Sequence, residues 1–233
     1  IQKFLSTAER HTPKQLFLKF RLSDWTFDRY SGPAPKREWL IRGVLPLGIP
    51  GMVAAIGGAG KTMLLLDLAA KVASIESGML TPPTALGGTL EPVAGTAVML
   101  TAEDDKKEVH RRTKKLSAQI ADNSKLIIVP MPSAGGPISL VGSGRDGPVL
   151  TKAYESLRQA LLEIPNLRLL IIDPLQSFAC ADVNSDPAAG TLFFAGMGRI
   201  ASETGATVLV AHHFRKAGST AIKTSDDAKE AIR

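Results

Sequence analysis

The stretch Ala55-Ile56-Gly57-Gly58-Ala59-Gly60-Lys61-Thr62 decides the fold, because it joins the apolar run 52–56 to the Leu- and Ala-rich helical pattern 62–74. Glycines in such a turn let successive backbone N–H groups point inward, at the positive end of the helix that follows. This pattern is typical of a loop that binds the phosphates of a nucleoside triphosphate, with Lys61 on the β- and γ-phosphates and the Thr62 hydroxyl on Mg²⁺. Ala55 stands where the pattern usually has its first glycine, at a strand end that tolerates a methyl group. The sequence therefore predicts binding of ATP or GTP.

The rest of the chain alternates short apolar runs with helical patterns. The runs are apolar at both alternate positions, as in strands covered on both faces; they are residues 52–56, 97–101, 126–129, 169–173 and 207–212. The helical patterns are residues 62–74, 106–120, 151–162 and 187–203. This alternation predicts an α/β fold with a parallel sheet between helical layers. Three stretches rich in Gly, Pro and Ser are expected to be long loops: 77–95, 132–147 and 217–226.

Two acidic residues follow predicted strands and complete a hydrolytic site. Hydrolysis needs a second anchor for Mg²⁺ and a carboxylate that deprotonates water. Asp173 ends the run 169–173, at the sheet edge where ligands bind in open α/β folds, and is the predicted metal ligand. Glu103 follows the run 97–101 and is the predicted general base. The alternative is that it is only an acid at a helix start, as we expect for Asp104 and Asp105.

The last predicted strand ends in two adjacent histidines, His212 and His213. Side chains alternate along a strand, so only one of the two faces the nucleotide, where it can sense the γ-phosphate. The alternative is an edge histidine without such a role. A zinc site is disfavoured, because adjacent histidines on a strand do not comfortably reach one ion and no Cys lies near them.

Composition limits the class of protein. The chain has 233 residues, a formal net charge of +6 and one cysteine, Cys180, which excludes an intramolecular disulfide. Apolar runs are too short for a predicted membrane span, so we expect a cytoplasmic protein. Residues 1–43 carry nine Lys and Arg against four acids and form a predicted basic arm. This arm either meets a polyanionic partner or is a solvated extension. Residues 44–233 form the predicted ATPase domain.

Four motifs in this order resemble the RecA-like ATPase superfamily, and within it the RepA-type replicative helicases related to DnaB. They are the phosphate loop, Ala102-Glu103-Asp104, Ile171-Ile172-Asp173 and Ala211-His212-His213. The resemblance implies a RecA-like fold, an ATPase that requires Mg²⁺, and metal ligation by Thr62 and Asp173. It also implies that Glu103 is the general base and that His212 or His213 is the γ-phosphate sensor. The implied nucleotide contacts are Gly57, Gly58, Ala59, Gly60, Lys61, Thr62 and Met63.

The same resemblance implies a homo-oligomer, a hexameric ring that moves along single-stranded DNA. Arg215, Lys216 and Lys223 occupy the place of a pore loop and are candidate DNA contacts, with a solvated loop as the equal alternative. The arginine finger of such rings lies on a strand past residue 233, so the ATPase domain is expected to continue beyond it. Two other functions stay open: a RecA-fold ATPase that acts as a regulatory or assembly switch, and, with less support, a small-molecule kinase.

Overall fold

The computed structural model describes residues 21–116, 122–179 and 186–213. The chain divides into two compact units, Ile1–Lys36 and Arg37–Arg233.

The described part of the first unit consists of two consecutive 3₁₀ turns, Leu22–Trp25 and Phe27–Tyr30. None of their residues is buried. The guanidinium of Arg29 lies 4.6 Å from the centre of the Trp25 ring, and its Nη1 donates to the Asp24 carbonyl oxygen at 3.3 Å. The unit thus has local contacts between polar and aromatic groups.

The second unit contains eleven strands and five α-helices among the described residues. The strands are β1 (Trp39–Ile41), β2 (Leu45–Pro46), β3 (Pro50–Ala55), β4 (Thr84–Ala85), β5 (Gly88–Thr89), β6 (Thr96–Thr101), β7 (Leu126–Pro130), β8 (Val141–Gly144), β9 (Gly147–Leu150), β10 (Leu167–Asp173) and β11 (Thr207–His213). The helices are α1 (Lys61–Ala73), α2 (Lys106–Thr113), α3 (Lys152–Leu162), α4 (Leu175–Ala179) and α5 (Pro187–Thr204).

A central sheet of five parallel strands organises this unit. Its strand order is β3-β11-β10-β6-β7. The strand before the phosphate loop, β3, is therefore separated by β11 from β10, the strand that ends in Asp173. Because all five strands run the same way, their carboxyl ends meet at one edge of the sheet, where the predicted site residues follow them.

Helices cover both faces of the sheet, which gives three layers. From Leu169 onwards in β10, and throughout β6 and β11, odd-numbered apolar residues pack in a cluster with α1, and even-numbered ones pack in a second cluster with α3, α4 and α5. Leu167, which precedes a register shift in β10, belongs to the second cluster. For example, Ile171 and Leu209 belong to the first cluster, whereas Ile172 and Val210 belong to the second. This alternation fixes which face each side chain at the strand ends occupies.

The five predicted strands are present, and each end lies within two residues of its predicted position. The helix predicted for residues 106–120 is wrong in length, since α2 ends at Thr113. None of its residues is buried, so no apolar face favours its extension. Residues 117–120 lie outside the described part of the chain.

Two stretches that we expected to be loops contain β-hairpins. Within 77–95, β4 and β5 are joined by Leu86 and Gly87, both with positive φ (51° and 79°), as in a two-residue hairpin turn. Residues 132–147 include β8 and the start of β9, which pair antiparallel. Leu140 and Val141 are fully buried there, and apolar burial of this kind orders a segment that its Gly and Ser content does not. In the part of the chain that the structure describes, the helices are all too short or too polar to cross a membrane.

Candidate nucleotide site

The loop between β3 and α1 has the backbone conformation that its glycines permit. Gly58 and Gly60 have φ values of +79° and +85°, in the left-handed region that other residues rarely adopt. Gly60 is the N-cap of α1, and its carbonyl oxygen accepts the first helical hydrogen bond, from Leu64 N at 3.0 Å. The loop therefore curls immediately before a helix N-terminus, the geometry that binds phosphate groups.

The ammonium group of Lys61 turns back onto this loop. Nζ donates to the carbonyl oxygens of Ala55 at 2.8 Å and Ile56 at 3.0 Å, and the residue is only 5% exposed. Both partners are neutral, so the buried positive charge is held by dipoles. A buried cation in this state favours an anionic ligand. Ala55 is the last residue of β3, an ordinary strand position that accommodates its methyl group.

Asp173 and Thr62 meet beside the loop. Asp173, at the end of β10, is 1% exposed, and the Thr62 hydroxyl lies close enough to its carboxylate to lower its pKa. Burial raises the pKa of Asp173, and the Glu103 carboxylate adds to this effect. The Thr62 hydroxyl, His213 and Lys61 act on this pKa in the opposite direction. Asp173 Oδ1 is buried with no hydrogen-bond partner among the described residues. These charges act on Asp173 because the five side chains converge at the carboxyl edge of the sheet.

A hydroxyl and a carboxylate with a free oxygen fit Mg²⁺. This ion binds hard oxygen ligands, keeps several waters and is usually held by one or two carboxylates together with substrate phosphates. Among the described residues, no group of three His, Cys, Asp or Glu side chains forms a self-contained metal centre. The residues present thus suit a metal that arrives with a phosphate ligand.

Glu103 and His213 form a second pair at the same edge. His213 Nε2 lies 3.3 Å from Glu103 Oε1, although neither ring nitrogen of His213 makes a hydrogen bond with a described residue. The Glu103 side chain is 53% exposed. A half-exposed carboxylate at this position is accessible to water, as a general base has to be.

The two histidines occupy different faces of the sheet. His213 lies two residues after Ala211 on β11, so both side chains point to the same face of the sheet. This is the face covered by α1, next to the phosphate loop. His212 lies on the opposite face, where its Nδ1 is 2.7 Å from Gln176 Nε2 of α4. Burial lowers the pKa of His212, and so favours the neutral imidazole.

The two acids after Glu103 have different roles. Asp105 is the N-cap of α2 and accepts from Glu108 N at 2.7 Å, as we expected for a residue at a helix start. Asp104 directly precedes this N-cap and makes a further contact: it is buried and pairs with Arg112 Nη2 at 3.1 Å. Burial nevertheless raises the pKa of Asp104, more strongly than Arg112 lowers it. Arg112 lies eight positions after Asp104 in the sequence, and no local sequence pattern indicates that these two residues pair.

Some predicted residues cannot be placed, and the structure adds others. Arg215, Lys216, Lys223 and the loop 217–226 lie outside the described residues. Thr101 and Gln176 were not predicted, yet Thr101 Oγ1 and Gln176 Oε1 are buried at the site edge without partners among the described residues. A polar residue at the end of an otherwise apolar strand was the available signal for Thr101.

The fold and the loop define an α/β P-loop NTPase with a RecA-like parallel sheet. A family model described as an AAA domain matches residues 18–219, which is most of the chain. The chain therefore belongs to this AAA domain family and is a P-loop domain of the ATPase type. The narrower resemblance to RepA-type helicases stays a prediction.

Proposed function

We propose that this chain is the ATPase domain of a RepA-like, ring-forming DNA helicase or translocase that hydrolyses ATP in the presence of Mg²⁺. The observation that carries the ATPase part is the convergence of Lys61, Thr62, Asp173, Glu103 and His213 at one sheet edge. Gly57, Gly58, Ala59 and Gly60 present backbone N–H groups to the phosphates, with Met63 in the first turn of α1. Lys61 exchanges its two carbonyl partners for phosphate oxygens.

The hydrolytic step assigns one role to each acid. Thr62 and Asp173 would hold Mg²⁺, which would supply positive charge to the phosphate groups. Glu103 accepts a proton from the attacking water while the oxygen of that water bonds to the γ-phosphorus. The bond from that phosphorus to the bridging oxygen breaks, and the products are ADP and inorganic phosphate. The half-exposed position of Glu103 supports this assignment.

Between the two histidines, we assign the γ-phosphate sensor to His213. Its position on the α1 face and its 3.3 Å approach to Glu103 support this assignment. A γ-phosphate offers His213 an alternative partner, so binding of ATP frees Glu103 to act on water. His212 is assigned to structural contact with α4 through Gln176.

The variant Glu103→Gln tests the ATPase part. Loss of a positioned general base lowers turnover by about 10²- to 10⁴-fold, while the affinity for ATP stays within about twofold of the wild type. Steady-state phosphate release measures the first quantity, and calorimetric titration with a non-hydrolysable ATP analogue measures the second. Glu163→Gln, an exposed glutamate after α3, is the matched control. Unchanged turnover in Glu103→Gln contradicts the assignment.

The helicase part needs its own experiment, because it rests on the resemblance and on the basic residues 215, 216 and 223. We expect single-stranded DNA to stimulate ATP hydrolysis, and the stimulation to fall as salt screens phosphate contacts. Particle mass with and without nucleotide tests the expected hexamer. An ATPase with no stimulation at low salt contradicts the motor and favours the regulatory switch.

A further inference from the structure

Thr101 is a buried polar residue that the proposed function leaves without a role. The residue is 2% exposed, and its Oγ1 makes no hydrogen bond within the described part of the chain. A buried hydroxyl left unsatisfied destabilises the folded state, and folded proteins contain few of them. An unpaired hydroxyl in a well-packed strand therefore points to a partner that is not a protein group.

Thr101 faces the space beside Asp173. The two residues are direct partners in the parallel ladder between β6 and β10, and Ala102 N donates to the Asp173 carbonyl oxygen at 2.9 Å to close it. Neighbouring strands lie about 4.8 Å apart, and partners of equal parity point to the same face. Thr101 points to the same face of the sheet as Ala97 and Met99, which belong to the cluster with α1. Asp173 points to the same face as Leu169 and Ile171, which belong to that cluster too.

The free oxygen of Asp173 belongs to the same space. Asp173 Oδ1 is buried and unpaired, like Thr101 Oγ1, so the two atoms do not hydrogen-bond to each other. A hydroxyl can donate to one group and accept from another, whereas a carboxylate only accepts. One water molecule between them would satisfy both atoms, and Mg²⁺ retains several of its waters when it binds to proteins.

We infer that Thr101 is a positioning residue of the magnesium–nucleotide site, which holds a metal-bound water against the free oxygen of Asp173. This role rests on the proposed function, since it requires Mg²⁺ at Thr62 and Asp173. Thr101 acts through that water and does not touch the phosphates. Groups that orient metal ligands from outside typically contribute 10- to 100-fold to metal affinity.

Binding measurements on the full chain test this role with Thr101→Val and Thr101→Ser. Valine keeps the shape and removes the hydroxyl, and serine keeps the hydroxyl. Titration calorimetry with AMP-PNP, a non-hydrolysable ATP analogue, is done over a range of Mg²⁺ concentrations and in EDTA. We expect Thr101→Val to raise the Mg²⁺ concentration at half-saturation about tenfold. Affinity in EDTA stays unchanged, and Thr101→Ser remains within about twofold of the wild type.

A purely structural threonine predicts different results. Equal loss of affinity with and without Mg²⁺, no loss in Thr101→Val, or failure of serine to restore binding each overturns the inference. Thr101→Val is also expected to keep or raise the melting temperature of the nucleotide-free protein, because it removes an unsatisfied hydroxyl; a drop of several degrees overturns the inference too. If the wild type itself shows no Mg²⁺-dependent binding of AMP-PNP, the proposed function fails, and this result is distinct from the others.

Discussion

Buried polar groups are treated in opposite ways at two places in the molecule. Between α3 and α5, the guanidinium of Arg158 is 8% exposed and is saturated by the carboxylates of Glu155 and Glu203. At the carboxyl edge of the sheet, Thr101 and Asp173 keep buried oxygens without partners among the described residues.

This difference separates groups that hold the fold together from groups that wait for a ligand. In the cluster of Arg158, Glu155 and Glu203, here called the helical cluster, every charged group contacts a group of opposite charge. The pKa of Glu155 falls to about 2 through its hydrogen bonds to Arg158 and Gln159. At the sheet edge, burial raises the pKa of Asp173, so its charged form is disfavoured in the folded protein. Functional sites commonly accept such a cost in stability. The comparison therefore predicts that the same kind of substitution has opposite effects in the two places.

The largest expected effect comes from Lys61→Met at the sheet edge. Removing a buried cation from a desolvated phosphate costs about 2–5 kcal/mol, so the affinity for a non-hydrolysable ATP analogue falls at least about 30-fold. Isothermal titration calorimetry measures the affinity. Lys71→Met is the matched control, because Lys71 lies in the same helix and pairs with Asp67 at 2.6 Å. Retained affinity in Lys61→Met contradicts the phosphate-loop assignment.

The main features of this edge could be predicted from the sequence because they depend on local order along the chain. The run that ends in Asp173 and the loop that ends in Lys61 each combine an apolar strand with one distinctive residue. Alternation alone predicted that one histidine faces the site. It did not predict which one, because that choice depends on the parity of β11 relative to α1.

Features that depend on contacts distant in sequence could not be predicted. The position of β11 between β3 and β10 follows from the strand order, which no local pattern contains. The ion pair of Asp104 with Arg112 and the unpaired hydroxyl of Thr101 likewise become visible only when neighbouring strands and helices are in place. The fold class was therefore easier to predict than the polar contacts of the site.

A smaller effect, of opposite sign at the two places, is expected from neutral substitutions. Asp173→Asn removes a charge whose burial is unfavourable, so the melting temperature of the nucleotide-free protein rises by a few degrees. Arg158→Met leaves Glu155 and Glu203 without their common partner, so the melting temperature falls by several degrees. Thermal unfolding followed by circular dichroism measures both.

The binding assay completes that test. Arg158→Met is expected to keep its affinity for the ATP analogue, since its cluster lies between α3 and α5. Asp173→Asn is expected to lose the contribution of Mg²⁺ to that affinity. If Asp173→Asn destabilises the nucleotide-free protein as much as Arg158→Met does, the two places do not differ, and the comparison fails.

The smallest effect concerns acid stability of the helical cluster. The pKa of Glu155 is lowered from 4.5 to about 2 in the folded protein. Its pairing therefore stabilises the folded state at pH values above 4.5, and this stabilisation is lost as the pH falls from 4.5 towards about 2. Glu155→Gln removes this contribution, so wild type and variant differ most at neutral pH and converge in acid. Melting temperatures across this range measure the difference, with Glu163→Gln as the control. A gap that stays constant with pH means that Glu155 acts through packing and not through its charge, and the assignment of this cluster to ion-pair stabilisation is then wrong.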